Sequence, residues 1–599
     1  MNSLHGLILA AGRGSRLGRF SDHTPKALLA LPTGETLIAR LIRQMFESGA
    51  ASVTVVVGHM AETVTASVTT SFPDSRIRFV LAPDYASTNN VVSMLIGLDE
   101  CRTHIEAGSA LLFAECDVLL VDGIMQQVSS STNKRNVAVV SPFAAGMDGT
   151  VVSLDGSAVT EVIPPRRQSA RFSLDAYFKT VNVYLFEWQS WSSRIPRLLN
   201  WQIDEVGTSD YYENAIGMIV YALQDELEAH IIPEISWHEI DDLNDLRVAK
   251  EKVFPGHDVS EVLSTHGGWW DLPYIDFAYL RNMHFPPESF FAQIAEALPA
   301  LLQNYGSSQR RVDEKLSWLL NVDEANLVAL PGLSTIYPQL TSSLDSETTW
   351  VPRQTFGEYH SRLPNSSRYA DLEWRRILET EVVNAIVLVN PNNPTGFLIP
   401  VAEILQATRD FPNTTFIVDE SFISFTESPS LILSPLLPEN LLVLRSMSKE
   451  LGLPGIRLGF AYSTNRTLIN QIRSYQPVWA FNSIAEFSIT LLLKYRKEYR
   501  HSFDAFWEDK REMERLLSAA SGVRVVPHVE GSFLLVELDS KVFPRNVLTE
   551  LGKHRFLVKD LTERIGNSSR ATTLRLAVRP RQDVRLLLDT LDSIRKHSS

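Results

Sequence analysis

Residues 445–459, Arg445-Ser446-Met447-Ser448-Lys449-Glu450-Leu451-Gly452-Leu453-Pro454-Gly455-Ile456-Arg457-Leu458-Gly459, constrain this chain more than any other stretch. They follow an apolar run, 440–444, that reads as a buried strand. A lysine just past such a strand, flanked by two hydroxyls and followed by an arginine, has a specific chemical use. Lys449 can form a Schiff base with an aldehyde cofactor, and Ser446, Ser448 and Arg457 can hold that cofactor's phosphate. A surface Lys-Glu pair after a strand is the plainer alternative for this stretch taken alone.

Two further stretches narrow the choice. Asn390-Pro391-Asn392-Asn393-Pro394-Thr395-Gly396 follows an apolar strand at 385–389, and Phe416-Ile417-Val418-Asp419-Glu420-Ser421-Phe422 places an acid at a strand end. An asparagine, Asn393, suits the phenolic oxygen of pyridoxal phosphate (PLP). A buried aspartate, Asp419, suits its ring nitrogen, because an anion there keeps the nitrogen protonated and the ring a strong electron sink. These three stretches, in this order, resemble the fold-type I PLP enzymes of the class I/II aminotransferase family. The resemblance covers roughly 260–599. It implies PLP as cofactor and a homodimer formed through this part of the chain.

At 599 residues the chain is too long for one core, so two or more domains are expected. Hydrophobic content of 44% and charged content of 21% are those of an ordinary soluble protein. A net charge of −14 argues against a nucleic-acid partner but leaves room for local basic pockets. The two cysteines, Cys101 and Cys116, make neither a disulfide framework nor a zinc site, and fit a cytoplasmic location. No basic leader precedes the first apolar strand and no apolar run is long enough to span a bilayer, so no membrane association is expected.

The first part of the chain opens with an apolar strand at 4–11 that runs into Gly12-Arg13-Gly14-Ser15-Arg16-Leu17-Gly18, with Thr24-Pro25-Lys26 shortly after. Glycines after a strand let backbone N–H groups approach a phosphate closely. The dinucleotide fingerprint needs a glycine where Leu17 stands, and the Walker pattern lacks its Gly-Lys-Ser/Thr. Leu9-Ala10-Ala11-Gly12-Arg13-Gly14, then Arg16 and Pro25-Lys26, resemble instead the sugar-nucleotide and cytidylyl transferase family. That resemblance implies a nucleoside triphosphate wrapped by residues 9–14, with Arg16 and Lys26 as catalytic cations on its phosphates. Strand, helix and strand patterns at 51–57, 61–69 and 77–81 give a βαβ order with a parallel sheet.

Thr88-Asn89-Asn90 can cap a helix, or line the nucleotide site as in phosphocholine- and phosphonate-type cytidylyltransferases. The strand at 110–114 ends in Glu115-Cys116-Asp117, and Trp237-His238-Glu239-Ile240-Asp241 resembles the family's Trp-x-Glu-Ile-Asp. The resemblance makes Asp117 and Asp241 the Mg²⁺ pair; Asp242 is a neighbour open to confusion with Asp241. Lys179, in Lys179-Thr180-Val181-Asn182, is either an acceptor contact or an exposed strand lysine. A helix at 242–252 closes this part, and Val253-Phe254-Pro255-Gly256-His257-Asp258 reads as a linker.

In the second part, Thr265-His266-Gly267-Gly268, Asn282 and Pro286-Pro287 form an entry arm that looks like threonine-phosphate decarboxylase, with Asn282 as a substrate contact. Gly332, Leu333 and Ser334, before a helix, can cup the cofactor phosphate or merely cap the helix. Tyr359 is favoured over Phe356 as the ring stacked on the pyridine. The strand at 573–579 carries Arg575, where the family grips a substrate α-carboxylate, and Arg579, either a second anion site or a surface arginine. Phe422 stands where histidinol-phosphate aminotransferases carry tyrosine, which favours decarboxylation over transamination.

The expected fold is therefore α/β: a Rossmann-like nucleotidyltransferase domain at 1–252, a linker at 253–260 and a fold-type I PLP-dependent transferase domain at 261–599. The pairing resembles the cytidylyltransferase–decarboxylase fusions of phosphonate-antibiotic biosynthesis. It implies CTP and a small amino-phosphonate or phospho-amino acid as substrates. An aminotransferase in the second domain, a route from phosphoserine, and a PLP-fold regulator without turnover are the alternatives. Lys449, Asp419 and Asn393 together argue against the regulator.

Overall fold

Parallel strands buried on both faces read as continuous apolar runs, and such runs build the sheets of both halves of this chain. The computed structural model describes residues 3–73, 76–130, 136–144, 146–168, 176–222, 227–257, 259, 262, 267, 270–565 and 571–597. Thr265, His266 and Gly268 of the expected entry arm lie outside the described residues. The chain divides into two compact units, Met1–Pro273 and Tyr274–Ser599. The division falls later than the break read at 253–260. The segment after that break stays with the first unit, where Arg247 Nη2 meets Asp271 Oδ2 at 2.8 Å. Among the described residues no helix is long and apolar enough to cross a membrane.

In the first unit the strands are β1 (Leu4–Ala10), β2 (Ala50–Val57), β3 (Ile77–Leu81), β4 (Ala110–Glu115), β5 (Val118–Leu120), β6 (Asn136–Pro142), β7 (Val151–Asp155), β8 (Ala158–Ile163), β9 (Phe178–Phe186), β10 (Leu227–Ile231) and β11 (Trp237–Glu239). Nine of them form a sheet of order β3-β2-β1-β4-β9-β6-β10-β8-β7. β1 lies parallel to both β2 and β4, with Ala10 opposite Val57 and Leu9 opposite Glu115. The glycine loop after β1 and the acids after β4 therefore emerge at the same end of the sheet, the usual place for a ligand in an open α/β sheet. β5 pairs antiparallel with β11, and Ile240 N–H donates to Asp117 O at 2.9 Å, which brings Asp117 and Asp241 together. Asp242 caps the helix Leu243–Val253, accepting from the N–H groups of Asn244 and Asp245. That role separates it from Asp241.

The second unit contains β12 (Ile275–Asp276), β13 (Leu327–Leu330), β14 (Thr349–Pro352), β15 (Ser367–Tyr369), β16 (Ala385–Val389), β17 (Thr415–Asp419), β18 (Leu441–Ser446), β19 (Gly459–Tyr462), β20 (Val523–Val525), β21 (Phe533–Asp539), β22 (Phe556–Leu557), β23 (Lys559–Asp560) and β24 (Ala571–Ala577). The larger sheet has the order β13-β19-β18-β17-β16-β14-β15, and β15 to β18 are parallel. Val389, Asp419 and Leu444 stand in one register row, so the Asn393 loop, Asp419 and the Lys449 loop leave the sheet together. A smaller antiparallel sheet, β20-β21-β24-β23, carries Arg575 on β24. β24 ends before Arg579, because Val578 N–H turns to Ser532 O at 3.1 Å. Arg579 is thus not on the strand, as 573–579 had suggested.

Gly452 holds φ +62°, and a Cβ there would run into the carbonyl oxygens of Phe285 and Asn282. Gly452→Ala should destabilise the second unit by about 2 kcal/mol. A chemical-unfolding midpoint for this unit equal to the parent's would refute the packing role.

Candidate active sites

The second site is assembled around Asp419. Its Oδ2 accepts from the Tyr359 hydroxyl at 2.8 Å, and its Oδ1 accepts from Ser421 N–H at 3.0 Å and from the Ser421 hydroxyl. The Ser421 hydroxyl oxygen accepts in turn from Ser446 N–H at 3.0 Å, which ties β17 to the strand before Lys449. Tyr359 is 1% exposed and packed edge-on to Tyr337, so its ring is a buried brace for Asp419 and not the stacking ring expected of it. Phe356, 39% exposed, is the accessible aromatic of the pair.

Lys449 Nζ donates to Ser446 Oγ at 2.9 Å and lies 5.9 Å from the centre of the Phe422 ring. Burial, helped by Arg457 and opposed by Asp419, lowers its pKa to about 8. Near neutral pH the uncharged, nucleophilic amine is therefore far more populated than for an ordinary lysine. Ser448 Oγ is buried without a partner, and Arg457 Nη2 donates to Ser334 Oγ at 3.3 Å. Gly332 holds φ +84°, and a Cβ there would collide with the Arg457 guanidinium. Gly332, Leu333, Ser334, Ser446, Ser448 and Arg457 thus form a cradle of the kind a phosphate fills. Arg575 Nη1 donates to Asn393 Oδ1 at 2.7 Å, its Nη2 to Ala278 O, and its Nε is buried without a partner. Burial lowers its pKa to about 10.

Two arm and strand readings change. Asn282 spends its amide on Glu450 O at 3.2 Å and Ser502 Oγ at 2.7 Å, and its side-chain oxygen accepts from His284 N–H. Its own N–H donates to Lys449 O at 2.8 Å. It braces the lysine loop and has no group left for a substrate. Arg579 pairs with Asp583 through both Nε at 2.8 Å and Nη2 at 2.6 Å, so it is neither free nor a plain surface arginine.

In the first unit Lys26 Nζ bridges Asp117 Oδ2 at 2.9 Å and Asp241 Oδ1 at 3.1 Å. Burial works to lower its pKa, but Asp117 and Asp241 together raise it, so Lys26 stays charged. Arg16 reaches Asp241 from the loop side. Gly14, at φ +67°, lets that loop close on Lys26: a Cβ there would sit 3.2 Å from Lys26 Cβ. Gly12 faces open space. Leu9, Ala10 and Ala11 are buried and can offer a ligand only backbone, and Arg13 pairs with Asp22 at 3.0 Å. Asn89 caps the helix Asn90–His104, while Asn90 Nδ2 donates to Glu115 Oε1 at 3.1 Å. Lys179 is 2% exposed and meets Glu239 Oε2 at 3.2 Å, which removes the exposed-strand alternative.

Residues 6–175 match the family model of the MobA-like NTP transferase domain, and residues 366–591 that of aminotransferase class I and II. The chain is an enzyme in which a separate stretch matches each of these two family models. It is similar to a CMP-5'-(3-aminopropyl)phosphonate synthase of Streptomyces rubellomurinus, 29% identical over 577 residues covering 92% of this chain and 89% of that protein. An L-serine phosphate decarboxylase of Sulfurospirillum multivorans is 25% identical over 328 residues, covering 50% of this chain and 82% of that protein. A histidinol-phosphate aminotransferase of Ruminiclostridium cellulolyticum is 25% identical over 218 residues, covering 36% and 60%. PLP is the cofactor that the aminotransferase-family match supports, and the unpartnered Ser448 hydroxyl in a cradle with Arg457 fits its phosphate.

Sequence reasoning passed over one group in the NTP transferase domain. Glu213 is buried and Glu115 and Glu239 half-buried, all close enough to feel one another's charge. Burial raises the pKa of all three, that of Glu213 to about 7. Glu115 and Glu239 each stand two residues before an aspartate expected to bind Mg²⁺, which was the available signal. Glu213 lies in Tyr211-Tyr212-Glu213-Asn214 and had none.

The lowered pKa of Lys449 sets a pH dependence. In cofactor-free protein the rate of PLP capture should rise with pH through about 8 and level off above it, as the neutral amine becomes the main form. Stopped-flow absorbance reads that rate. A rise continuing to the ordinary lysine value of 10.5 would contradict the buried setting.

Proposed function

We propose that this chain transfers CMP from CTP to an amino-phosphonate or phospho-amino acid and decarboxylates the amino-acid moiety with PLP. The observation that carries the reading is the similarity over 92% of the chain to a CMP-5'-(3-aminopropyl)phosphonate synthase. In the first step an ionised acceptor oxygen attacks the α-phosphorus of CTP. The new P–O bond forms as the bond to the bridging oxygen breaks, and pyrophosphate leaves. No general base is needed, since the acceptor oxygen is already deprotonated near neutral pH. Lys26 and Arg16 hold the phosphate charge as it shifts.

Asp117 and Asp241 are hard oxygen donors, and Asp117 Oδ1 is buried without a partner, which fits Mg²⁺. Among the described residues no three His, Cys, Asp or Glu side chains could hold a metal by themselves. Two carboxylates suit a metal that takes its other ligands from a triphosphate and water. Mg²⁺ supplies charge neutralisation there.

In the second step PLP supplies an electron sink for the pair released when the Cα–carboxylate bond breaks and CO₂ leaves. Arg575, with a buried Nε still to be satisfied, grips that carboxylate. Asp419 keeps the ring nitrogen protonated, Asn393 faces the phenolic oxygen, and Lys449 returns a proton to the α-carbon. Phe422 leaves the site without the hydroxyl that transaminating relatives place there. The reading includes a homodimer through the second unit and a cytoplasmic location. It includes no membrane partner and no nucleic-acid partner, the latter in keeping with the net charge of −14.

Asp117→Ala should cut pyrophosphate release from CTP by about 100-fold or more and leave the yellow colour of the PLP site intact. Borohydride should fix the cofactor on Lys449. UTP proving the better donor, or a labelled peptide without Lys449, would overturn the respective half. The order proposed is cytidylylation first. Lys449→Ala should accumulate a CMP ester that keeps its carboxylate, and Lys26→Ala should leave the amino acid mostly untouched. Keto acid and pyridoxamine phosphate among the products would point to transamination. Decarboxylation of the free amino acid at the parent rate by Lys26→Ala would reverse the order.

A further inference from the structure

Lys449 is followed directly by an acid, Glu450, yet the two side chains turn to different partners. Lys449 Nζ donates to Ser446 Oγ at 2.9 Å. Glu450 Oε2 instead accepts from Arg445 Nη2 and from the Ser424 hydroxyl. The Ser424 oxygen accepts in turn from Arg445 Nη2, so the three side chains close a triangle. Glu450 keeps 3% of its side chain exposed and Arg445 11%, so this is a buried ion pair. Burial works to lower the pKa of Arg445, but Glu450 and its neighbours raise it further, and the guanidinium stays charged.

The pair brackets the residues that face the cofactor cradle. Arg445 stands on β18 and Glu450 in the turn after it, with Ser446, Ser448 and Lys449 between them in sequence. The turn is closed by its own backbone, Leu451 N–H donating to Met447 O at 3.1 Å and Leu453 N–H to Ser448 O at 3.1 Å. Charged groups reach this region from several elements. Asp419 of β17 and Arg457 act on Lys449 in opposite senses. Glu420, just past β17, and Tyr499 of the helix Arg496–Ser518 act on Arg445. Among the described residues Arg445 is the cation that pairs with Glu450. A carboxylate set free beside a buried lysine would favour the protonated amine.

We propose that Arg445 is a positioning residue for Lys449: it holds the adjacent acid, Glu450, in a buried pair away from the lysine, so that the amine can lose its proton and take up an aldehyde. The proposal rests on the PLP reading of the second site. Paired, Arg445 and Glu450 offset each other's charge. Loss of either leaves one buried charge one turn of chain from the amine, where a low effective dielectric makes it felt. The same pair therefore fixes the turn and keeps it electrically quiet.

The test is the pH profile of PLP capture by cofactor-free, full-length protein, read by stopped-flow absorbance. Arg445→Met leaves Glu450 unpaired and should move the midpoint up by about half a pH unit. Glu450→Gln leaves Arg445 unpaired and should move it down. Arg445→Met combined with Glu450→Met should return the midpoint to the parent value, since a buried pair exchanged for apolar residues of similar volume often keeps its fold. A merely structural pair would slow capture in both single variants without moving the midpoint in opposite directions. Should Arg445→Met fail to fold, Glu450→Gln and the double variant carry the comparison. Folded single variants with the parent midpoint, or with midpoints moved the same way, would overturn the inference and leave PLP capture by Lys449 standing. A parent protein that captures no PLP at any pH would overturn the cofactor reading and the inference with it.

Discussion

Lys26 held between Asp117 and Asp241 is the contact on which the first active site depends. It joins residues 91 and 215 positions apart in sequence. An ammonium group buried to this degree is tolerable only with anionic partners, and removing one partner of such a pair costs about 3–5 kcal/mol. The sheet supplies the partners by register. β1 delivers the glycine loop, β4 delivers Asp117, and the short β5–β11 ladder swings Asp241 across to meet it. On the reading proposed above, a cation already between two carboxylates is where triphosphate oxygens and Mg²⁺ would share charge.

The second site solves the opposite problem with the same device. Here the buried charge is the anion, Asp419, and its partners are hydroxyl and N–H donors from Tyr359 and Ser421. Ser421 also takes the N–H of Ser446, so the residue that steadies the aspartate fixes the start of the Lys449 loop. Asn282 holds the same loop from the other side through Lys449 O and Glu450 O. Lys449 is left with the Ser446 hydroxyl as its hydrogen-bond partner and no ion pair among the described residues, which is why burial can depress its pKa. A lysine locked to a carboxylate would stay protonated and could not attack an aldehyde.

Much of this was legible in the sequence, and the failures have a common cause. Strand-ending motifs such as Ala385 to Asn393, Phe416 to Asp419 and Leu441 to Lys449 carry both element and role, because a parallel strand's end fixes where the next side chain goes. The glycine loop and the acids after β4 and β11 were readable for the same reason. Tyr359 and Asn282 were misassigned because motif spacing gives residue type and not direction. Tyr359 comes three residues after the exposed Phe356, but its ring is buried with the hydroxyl on Asp419. Glu213 was invisible because the partners that make it unusual, Glu115, Glu239 and Lys179, come from three other strands or strand ends.

The two units also present opposite electrostatics to what one ligand would offer. Beside the aspartate pair of the first lie one buried and two half-buried carboxylates, and the cations there are already committed to acids. The second presents Arg457 and Arg575, the latter with a donor unspent, around a lysine that is close to neutral. A small amino acid bearing a phosphonate has both kinds of group. Its ammonium suits an acidic site and its carboxylate suits the arginines. On the reading proposed above, Arg575 would grip the carboxylate in the second unit. Arg579 cannot share that duty as it stands, because Asp583 already holds it through two nitrogens. A phosphonate carried as a CMP ester has one ionisable oxygen fewer, which reduces the need for a second free arginine and is consistent with an ester as the substrate this site receives.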